Sequence, residues 1–166
     1  MGNLTKVISG GQTGVDQAAL RAARDYGLAI GGWCPPGSSC ESGTIPAEFP
    51  LEETPNERSS AAPDVARSQR TEWNVRDSDA TLILRPRNAT DPGTNWAIRF
   101  AIQHGKPLLE CDPADQESRK NTREWLRAIN IPTLNIAGPS ESSVPGIGEQ
   151  VYAFLVEVFR GGIDHE

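Results

Sequence analysis

Hydrophobic and polar positions along the chain alternate between two patterns. Short, continuous apolar runs predict buried strands at residues 6–9, 28–33, 80–84, 107–111 and 132–136. Between them, apolar residues recur at helical spacing and predict helices at residues 15–26, 67–77, 94–103, 117–129 and 147–159. Strands that alternate with helices are typical of βαβ units, in which helices cover both faces of a parallel sheet. The pattern therefore predicts an α/β fold.

Residues 34–63 interrupt this alternation. The segment is rich in Pro, Gly, Ser and Glu, and its apolar residues stand apart at Ile45, Phe49 and Leu51. A long irregular segment inside a compact domain is uncommon and often functional. We expect a single domain over residues 1–166, with a loop at about residues 34–65 near the ligand site or at a subunit contact.

Composition narrows the class of protein. The 166 residues are 37% hydrophobic and 23% charged, as in one soluble domain. The net charge of −6, from 16 basic and 22 acidic residues, argues against a nucleic-acid or membrane partner. Three cysteines form no disulfide framework, and the first residues lack the apolar stretch of a signal peptide, so we expect a cytoplasmic protein. His104 and His165 have no ligand-spaced neighbours, so we predict neither a metal site nor a catalytic histidine.

A glycine-rich turn, Ser-Gly-Gly-Gln-Thr-Gly at residues 9–14, joins the first predicted strand to the first helix. Glycine lets a ligand approach the backbone, and a helix N-terminus offers unpaired N–H groups and a partial positive charge. Phosphate or another oxyanion is the natural occupant of such a turn. A tight turn without a ligand is the alternative. The candidate binding residues here are Gly10, Gly11, Gln12, Thr13, Gly14 and Asp16.

Two further stretches carry candidate binding residues. Gly93, Thr94 and Asn95 open a predicted helix just after a strand, where Arg85 and Arg87 supply positive charge. A plain helix cap is the alternative. Residues 70–79 lead into the strand at 80–84, and an ion-paired helix end around a buried Trp73 is the alternative there. The candidates in that stretch are Asn74, Arg76 and Asp77.

Taken together, these stretches resemble the molybdenum cofactor carrier proteins. The matching positions are residues 8–16, 31–35, 70–82 and 93–94, together with Gly37, Glu41, Gly43, Ile45 and Pro46. The resemblance adds Trp33, Cys34 and Pro35 to the candidate site. It implies a Rossmann-like three-layer fold, with a mostly parallel central sheet flanked by helices, related to the lysine-decarboxylase-like phosphoribohydrolases. It also implies a homo-oligomer that holds molybdenum cofactor, a phosphorylated pterin whose dithiolene group carries molybdenum.

The sequence departs from its relatives at two places. The resemblance implies basic residues just after the Trp-Cys-Pro element. At those positions this chain has Pro36, Ser38, Ser39 and Cys40. The phosphoribohydrolases place a catalytic glutamate three residues after their Gly-Thr pair, and here that position is Ala97. The resemblance, with the glutamate missing at position 97, therefore implies a non-catalytic carrier of molybdenum cofactor, which would pass the cofactor to molybdoenzymes. The alternative is a nucleotide-processing or ribose-phosphate-processing enzyme, or a nucleotide-sensing module, of the same superfamily.

Overall fold

The computed structural model describes residues 2–163 of the chain. His165, for which the sequence predicts no functional role, lies outside the described residues. In chain order the elements are β1 (Lys6–Ile8), α1 (Val15–Asp25), β2 (Ala29–Gly31), β3 (Trp33–Cys34), a 3-10 turn (Pro36–Ser38), β4 (Ser39–Cys40), β5 (Gly43–Thr44), β6 (Glu52–Glu53), α2 (Ser68–Arg76), β7 (Ala80–Leu84), α3 (Pro92–Gln103), β8 (Leu108–Cys111), α4 (Gln116–Ile129), β9 (Thr133–Ala137) and α5 (Ile147–Ile163).

The central sheet has five strands in the order β2-β1-β9-β7-β8, and all of its pairings are parallel. The predicted Rossmann-like α/β fold is therefore confirmed. The last strand, β9, lies between β1 and β7, where Leu134 and Ile136 are completely buried. The chain leaves β1 through α1 toward one edge of the sheet and leaves β7 through α3 toward the other edge. Such a reversal of direction opens a crevice at the carboxyl ends of the central strands.

Helices cover both faces of the sheet. On one face α1, α4 and α5 enclose the main apolar core, in which Phe154 and Phe159 of α5 are completely buried. Small alanine side chains line the buried side of α1 and allow it to pack closely against α5. On the other face α2 and α3 pack together through Val75, Phe100 and Ala101. None of the helices within residues 2–163 is long and apolar enough to cross a membrane.

The structure differs from the predicted elements at two places. The strand predicted at 28–33 is split into β2 and β3, because Gly32 adopts a φ of 128° that no extended strand contains. The irregular loop predicted at 34–63 contains the 3-10 turn and strands β4, β5 and β6. Its separated apolar residues gather into a small second core against Leu20 of α1, which the local pattern does not reveal. These residues are Cys34, Cys40, Ile45 and Phe49.

Candidate functional site

A cavity of about 300 Å³ lies at the carboxyl ends of the three central strands. Gly10 and Gln12 line it after β1, Gly138 lines it after β9, and Thr94 lines it at the start of α3. Helix α2 closes one side with Arg70. This is the place where open parallel sheets bind their ligands, because the loops that follow strands of opposite crossover direction separate there. The cavity is therefore the candidate binding site.

Asp16 and Arg70 form a buried ion pair in the cavity lining. Asp16, only 2% exposed, accepts hydrogen bonds at Oδ2 from Arg70 Nη1 at 3.1 Å and from the Gln12 amide at 3.2 Å. Burial raises the pKa of the Asp16 carboxyl above its ordinary value, against the opposing effect of the Arg70 guanidinium. Asp16 Oδ1 and Arg70 Nε, both buried, find no hydrogen-bond partner among the described residues.

The start of α3 adds two more polar groups to the cavity. Asp91 caps the helix, with Oδ2 accepting from the Thr94 amide at 2.9 Å, and Pro92 occupies the first helical position. Thr94 is 3% exposed, and within residues 2–163 neither its hydroxyl oxygen nor Asp91 Oδ1 has a partner. Buried polar groups in proteins nearly always have partners. Four such atoms belong to residues that line this one cavity, which makes the cavity the candidate site for a polar ligand.

The charges around the cavity are mixed. Three carboxylates, Asp16, Asp64 and Asp91, share the lining with the guanidinium groups of Arg67 and Arg70. Arg67 is the N-cap of α2 and adopts the left-handed conformation, with a φ of 61° that is unusual for arginine. The Arg67 guanidinium makes no hydrogen bond or ion pair with the part of the chain that the structure describes. The site therefore offers a field of mixed sign rather than a positive pocket.

The glycines of the predicted anion-binding turn make room for the protein's own groups. A Cβ at Gly10 would lie 2.1 Å from Arg70 Nη1, and one at Gly11 would lie 2.7 Å from Ile45 in the second core. At Gly14 it would lie 2.7 Å from the backbone that follows β9. Of the three, Gly10 lines the cavity. Close packing explains all three glycines, and their contact with a ligand stays a prediction.

The two polar side chains of the same turn, Gln12 and Thr13, are bonded to other groups of the protein. Gln12 Oε1 accepts from the amides of Thr13 at 3.0 Å and Glu41 at 2.9 Å. The Glu41 carboxylate in turn accepts from the Thr13 hydroxyl and from the Ser142 amide at 3.0 Å. Burial raises the pKa of Glu41, but hydrogen bonds from Ser142 and Thr13 outweigh it and lower the pKa to about 2. The Thr13 hydroxyl, predicted to bind a ligand, is therefore already bonded to a carboxylate of the protein itself.

Most candidates from residues 70–79 and Trp33 are partners of one another. The Asn74 side chain, 2% exposed, accepts from the Trp33 amide at 2.8 Å and donates to the Trp33 carbonyl oxygen at 2.9 Å. Asp77 accepts from the Trp33 indole at 2.8 Å and from Arg76 Nε at 2.8 Å, and the bond from Arg76 lowers the pKa of Asp77. Arg76 also lies 4.2 Å from the centre of the Trp73 ring. Of these residues only Asn74 lines the cavity.

The remaining candidates divide between the cavity and other parts of the surface. Gly93 lines the cavity beside Thr94, whereas Cys34 and Pro35 are buried in the segment after β2. Asn95 is exposed on the outer side of α3, where it accepts a hydrogen bond from Arg85 at 2.8 Å. The basic side chains expected to hold a ligand are paired elsewhere, Arg85 with Glu110 and Arg87 with Asp115.

Sequence analysis missed several residues that the fold brings to the cavity. Arg70 lies in a stretch that was recognised as informative, but nothing local showed that it would reach Asp16. Asp91 precedes Pro92 at a helix start, a pattern that predicts a cap and gives no sign that Asp91 would also line the cavity. Gly138 follows the last strand, and the rule that ligands bind after strands would have found it once β9 was placed at the centre of the sheet.

Comparison with known proteins gives one family and one solved structure. The description of the matching family is "Circularly permutated YpsA SLOG family", and the match covers residues 7–159. A crystal structure named "Putative molybdenum carrier protein", from Syntrophus aciditrophicus SB, is similar with a TM-score of 0.83 and 37% identity, over 95% of this chain and 96% of that chain. No curated protein sequence matches. The suspected relationship to the carrier proteins is thereby confirmed, and the chain belongs to the circularly permutated YpsA SLOG family.

Proposed function

We propose that the protein binds molybdenum cofactor in the cavity at the carboxyl ends of β1, β9 and β7 and carries it without chemical change. The observation that supports this most directly is the set of four buried, unpartnered polar atoms in the cavity lining. A solved relative that bears the name of a molybdenum carrier, at 37% identity, supports the choice of ligand. The cofactor's own dithiolene sulfur atoms hold the molybdenum, so the protein needs to supply hydrogen bonds rather than metal ligands.

The side chain at position 97 supports binding without catalysis. Ala97 is 1% exposed and lines the cavity, at the position where the phosphoribohydrolases have their catalytic glutamate. A methyl group neither donates nor accepts a proton, so hydrolysis of an N-glycosidic bond by that mechanism lacks its acid or base.

A second candidate function is processing of a nucleotide by Asp16. Its carboxyl is buried and has a raised pKa, as general acids in enzymes often have. This candidate predicts release of a free base from a nucleoside monophosphate. The carrier function predicts that the nucleotide is recovered intact.

Calorimetric titration under anaerobic conditions tests both candidates. Wild-type protein, Thr94→Val and Asn95→Ala are each titrated with molybdenum cofactor and with adenosine monophosphate, and the mixtures are analysed by chromatography. We expect cofactor binding by the wild type and by Asn95→Ala, and weaker binding by Thr94→Val, because valine keeps the shape of threonine but lacks the unpartnered hydroxyl. Absence of cofactor binding by folded wild-type protein would overturn the proposal, and a released base would favour the enzyme.

The proposal extends to how the carrier works in the cell. We expect a homo-oligomer in the cytoplasm that passes its cofactor to molybdoenzymes. Sedimentation velocity tests the oligomer, and reconstitution of an apo-molybdoenzyme by the loaded protein tests the transfer. A monomer, or a loaded protein that activates no apo-enzyme, would contradict these parts of the proposal.

A further inference from the structure

The unpartnered atoms of the cavity are mostly hydrogen-bond acceptors. Asp16 Oδ1 and Asp91 Oδ1 belong to carboxylates, which only accept when they are ionised. The Thr94 hydroxyl accepts or donates, and Arg70 Nε is the one obligatory donor among these four atoms. The part of a ligand that fills this buried region must therefore bring N–H or O–H groups of its own.

A phosphate group does not meet this requirement. Its oxygens are acceptors when ionised, and they would lie against the carboxylates of Asp16 and Asp91. The N-terminus of α3, the usual place for a phosphate, is already capped because Asp91 accepts from the Thr94 amide. The Arg70 Nη1 group already pairs with Asp16. The buried end of the cavity therefore disfavours an oxyanion.

Arg67 offers a different environment in the same lining. Its side chain is half-buried, and its guanidinium has no partner among the described residues. Its left-handed backbone, with a φ of 61°, is a strained conformation of the kind that proteins keep at binding sites. An anionic end of the ligand would find a cation here that is not already neutralised.

Resting on the proposed function, we propose that Asp16 and Asp91 recognise the 2-amino-4-oxopyrimidine edge of a pterin, whose ring N–H and amino group are donors, while the phosphate end faces Arg67. Arg70 Nε then donates to the 4-oxo group. The cavity, at about 300 Å³, is at the small end of ligand pockets, so the bicyclic ring fills it and the rest of the cofactor extends from its mouth. The site selects its ligand by the ring, and the phosphate adds affinity.

A pair of ring compounds tests this on the wild-type protein. Pterin carries the 2-amino group, and lumazine has an oxo group in its place. Following binding by the fluorescence of the rings, we expect lumazine to bind about tenfold more weakly than pterin or worse, because a buried carboxylate would lose its donor. Asp16→Asn should weaken pterin binding by a similar factor. Millimolar inorganic phosphate should not displace pterin.

Arg67→Asn tests the other end of the ligand, since asparagine tolerates the left-handed conformation but removes the charge. We expect pterin itself to bind unchanged and 6-hydroxymethylpterin phosphate to bind about threefold to fivefold more weakly. Equal loss for both compounds would contradict the orientation that we propose.

The outcomes separate this inference from the proposed function. Equal binding of lumazine and pterin overturns the inference, and so does displacement of pterin by phosphate. Cofactor binding with which pterin does not compete also overturns the inference, but it leaves the carrier function standing. Selective pterin binding without cofactor binding supports the inference and overturns the carrier function. If neither the cofactor nor either ring binds, both fail. The comparison of the two rings uses wild-type protein, so it holds even where Asp16→Asn does not fold.

Discussion

Asn74 ties α2 to the segment that follows β2, and Asn74→Ala tests this link. Its Oδ1 accepts from the Trp33 amide at 2.8 Å, and its Nδ2 donates to the Trp33 carbonyl oxygen at 2.9 Å. The sequence predicted that Asn74 binds a ligand, yet both polar ends of its amide are bonded within the protein. The substitution therefore removes two hydrogen bonds and leaves a backbone N–H and a carbonyl without these partners.

The expected loss of stability follows from these two bonds. Each contributes about 1 kcal/mol, and a buried polar group left without a partner costs about 1–3 kcal/mol. Trp33 is only half-buried, so water replaces part of what is lost. We therefore expect Asn74→Ala to lower the free energy of unfolding by about 2–4 kcal/mol. For a domain of this size, that corresponds to a fall in Tm of about 4–16 °C.

Equilibrium urea unfolding followed by circular dichroism measures this loss, because tryptophan fluorescence would report the altered surroundings of Trp33 itself. Asn95→Ala is the control: it removes one exposed hydrogen bond, from Arg85, and its loss should change the free energy of unfolding by no more than about 1 kcal/mol. A wild-type urea midpoint for Asn74→Ala, together with a fall in ligand affinity of more than about tenfold, would refute the structural role and restore the ligand role.

Four other substitutions test three local features of the fold. Gly32→Ala puts a methyl group 2.4 Å from the Ser9 carbonyl oxygen at a φ of 128°, so urea unfolding should show that the free energy of unfolding falls by more than about 3 kcal/mol. Gly37→Ala is the matched control, because Gly37 has a φ of 81° but nothing within 4 Å of the added methyl group, and it should lower the free energy of unfolding by about 1 kcal/mol. Equal losses for the two variants would contradict the clash at Gly32. The folded pKa of Glu41, about 2, is below its ordinary value of 4.5, so its contribution to stability is present above that value and is lost as the pH falls toward 2. The gap in urea midpoint between wild type and Glu41→Gln should therefore close between about pH 5 and pH 2, and a constant gap would exclude this linkage. Burial raises the pKa of Asp16 above its ordinary value of 3.8, so the stability that its protonated form gives is present below that value and is lost as the pH rises. Asp16→Asn removes one partner of the buried ion pair with Arg70 and should lower Tm. Its deficit relative to wild type should be smaller at about pH 7 than at about pH 3, and a larger deficit at the higher pH would count against the reasoning.

The sequence by itself determined the elements and their class. A spacing of three to four between apolar residues indicates the buried side of a helix, and a short apolar run indicates a buried strand. This local signal is strong in α1 and β7. Gly27, with a φ of 76°, ends α1 where the sequence places its stop. The glycine-rich turn after β1 and the polar start of α3 were found for a similar reason, because turns and caps depend on neighbouring residues.

Only the tertiary structure decided what those turns hold. Asp16 and Arg70 are 54 positions apart in the chain, and Glu41 reaches the Thr13 hydroxyl from a loop whose apolar residues gave no periodic signal. The central place of β9 follows from pairings with β1 and β7 that no local pattern encodes. A ligand site depends on distances between atoms that the chain brings together only when it folds. The sequence therefore located the edge of the sheet where the cavity lies, and the fold selected the residues that line it.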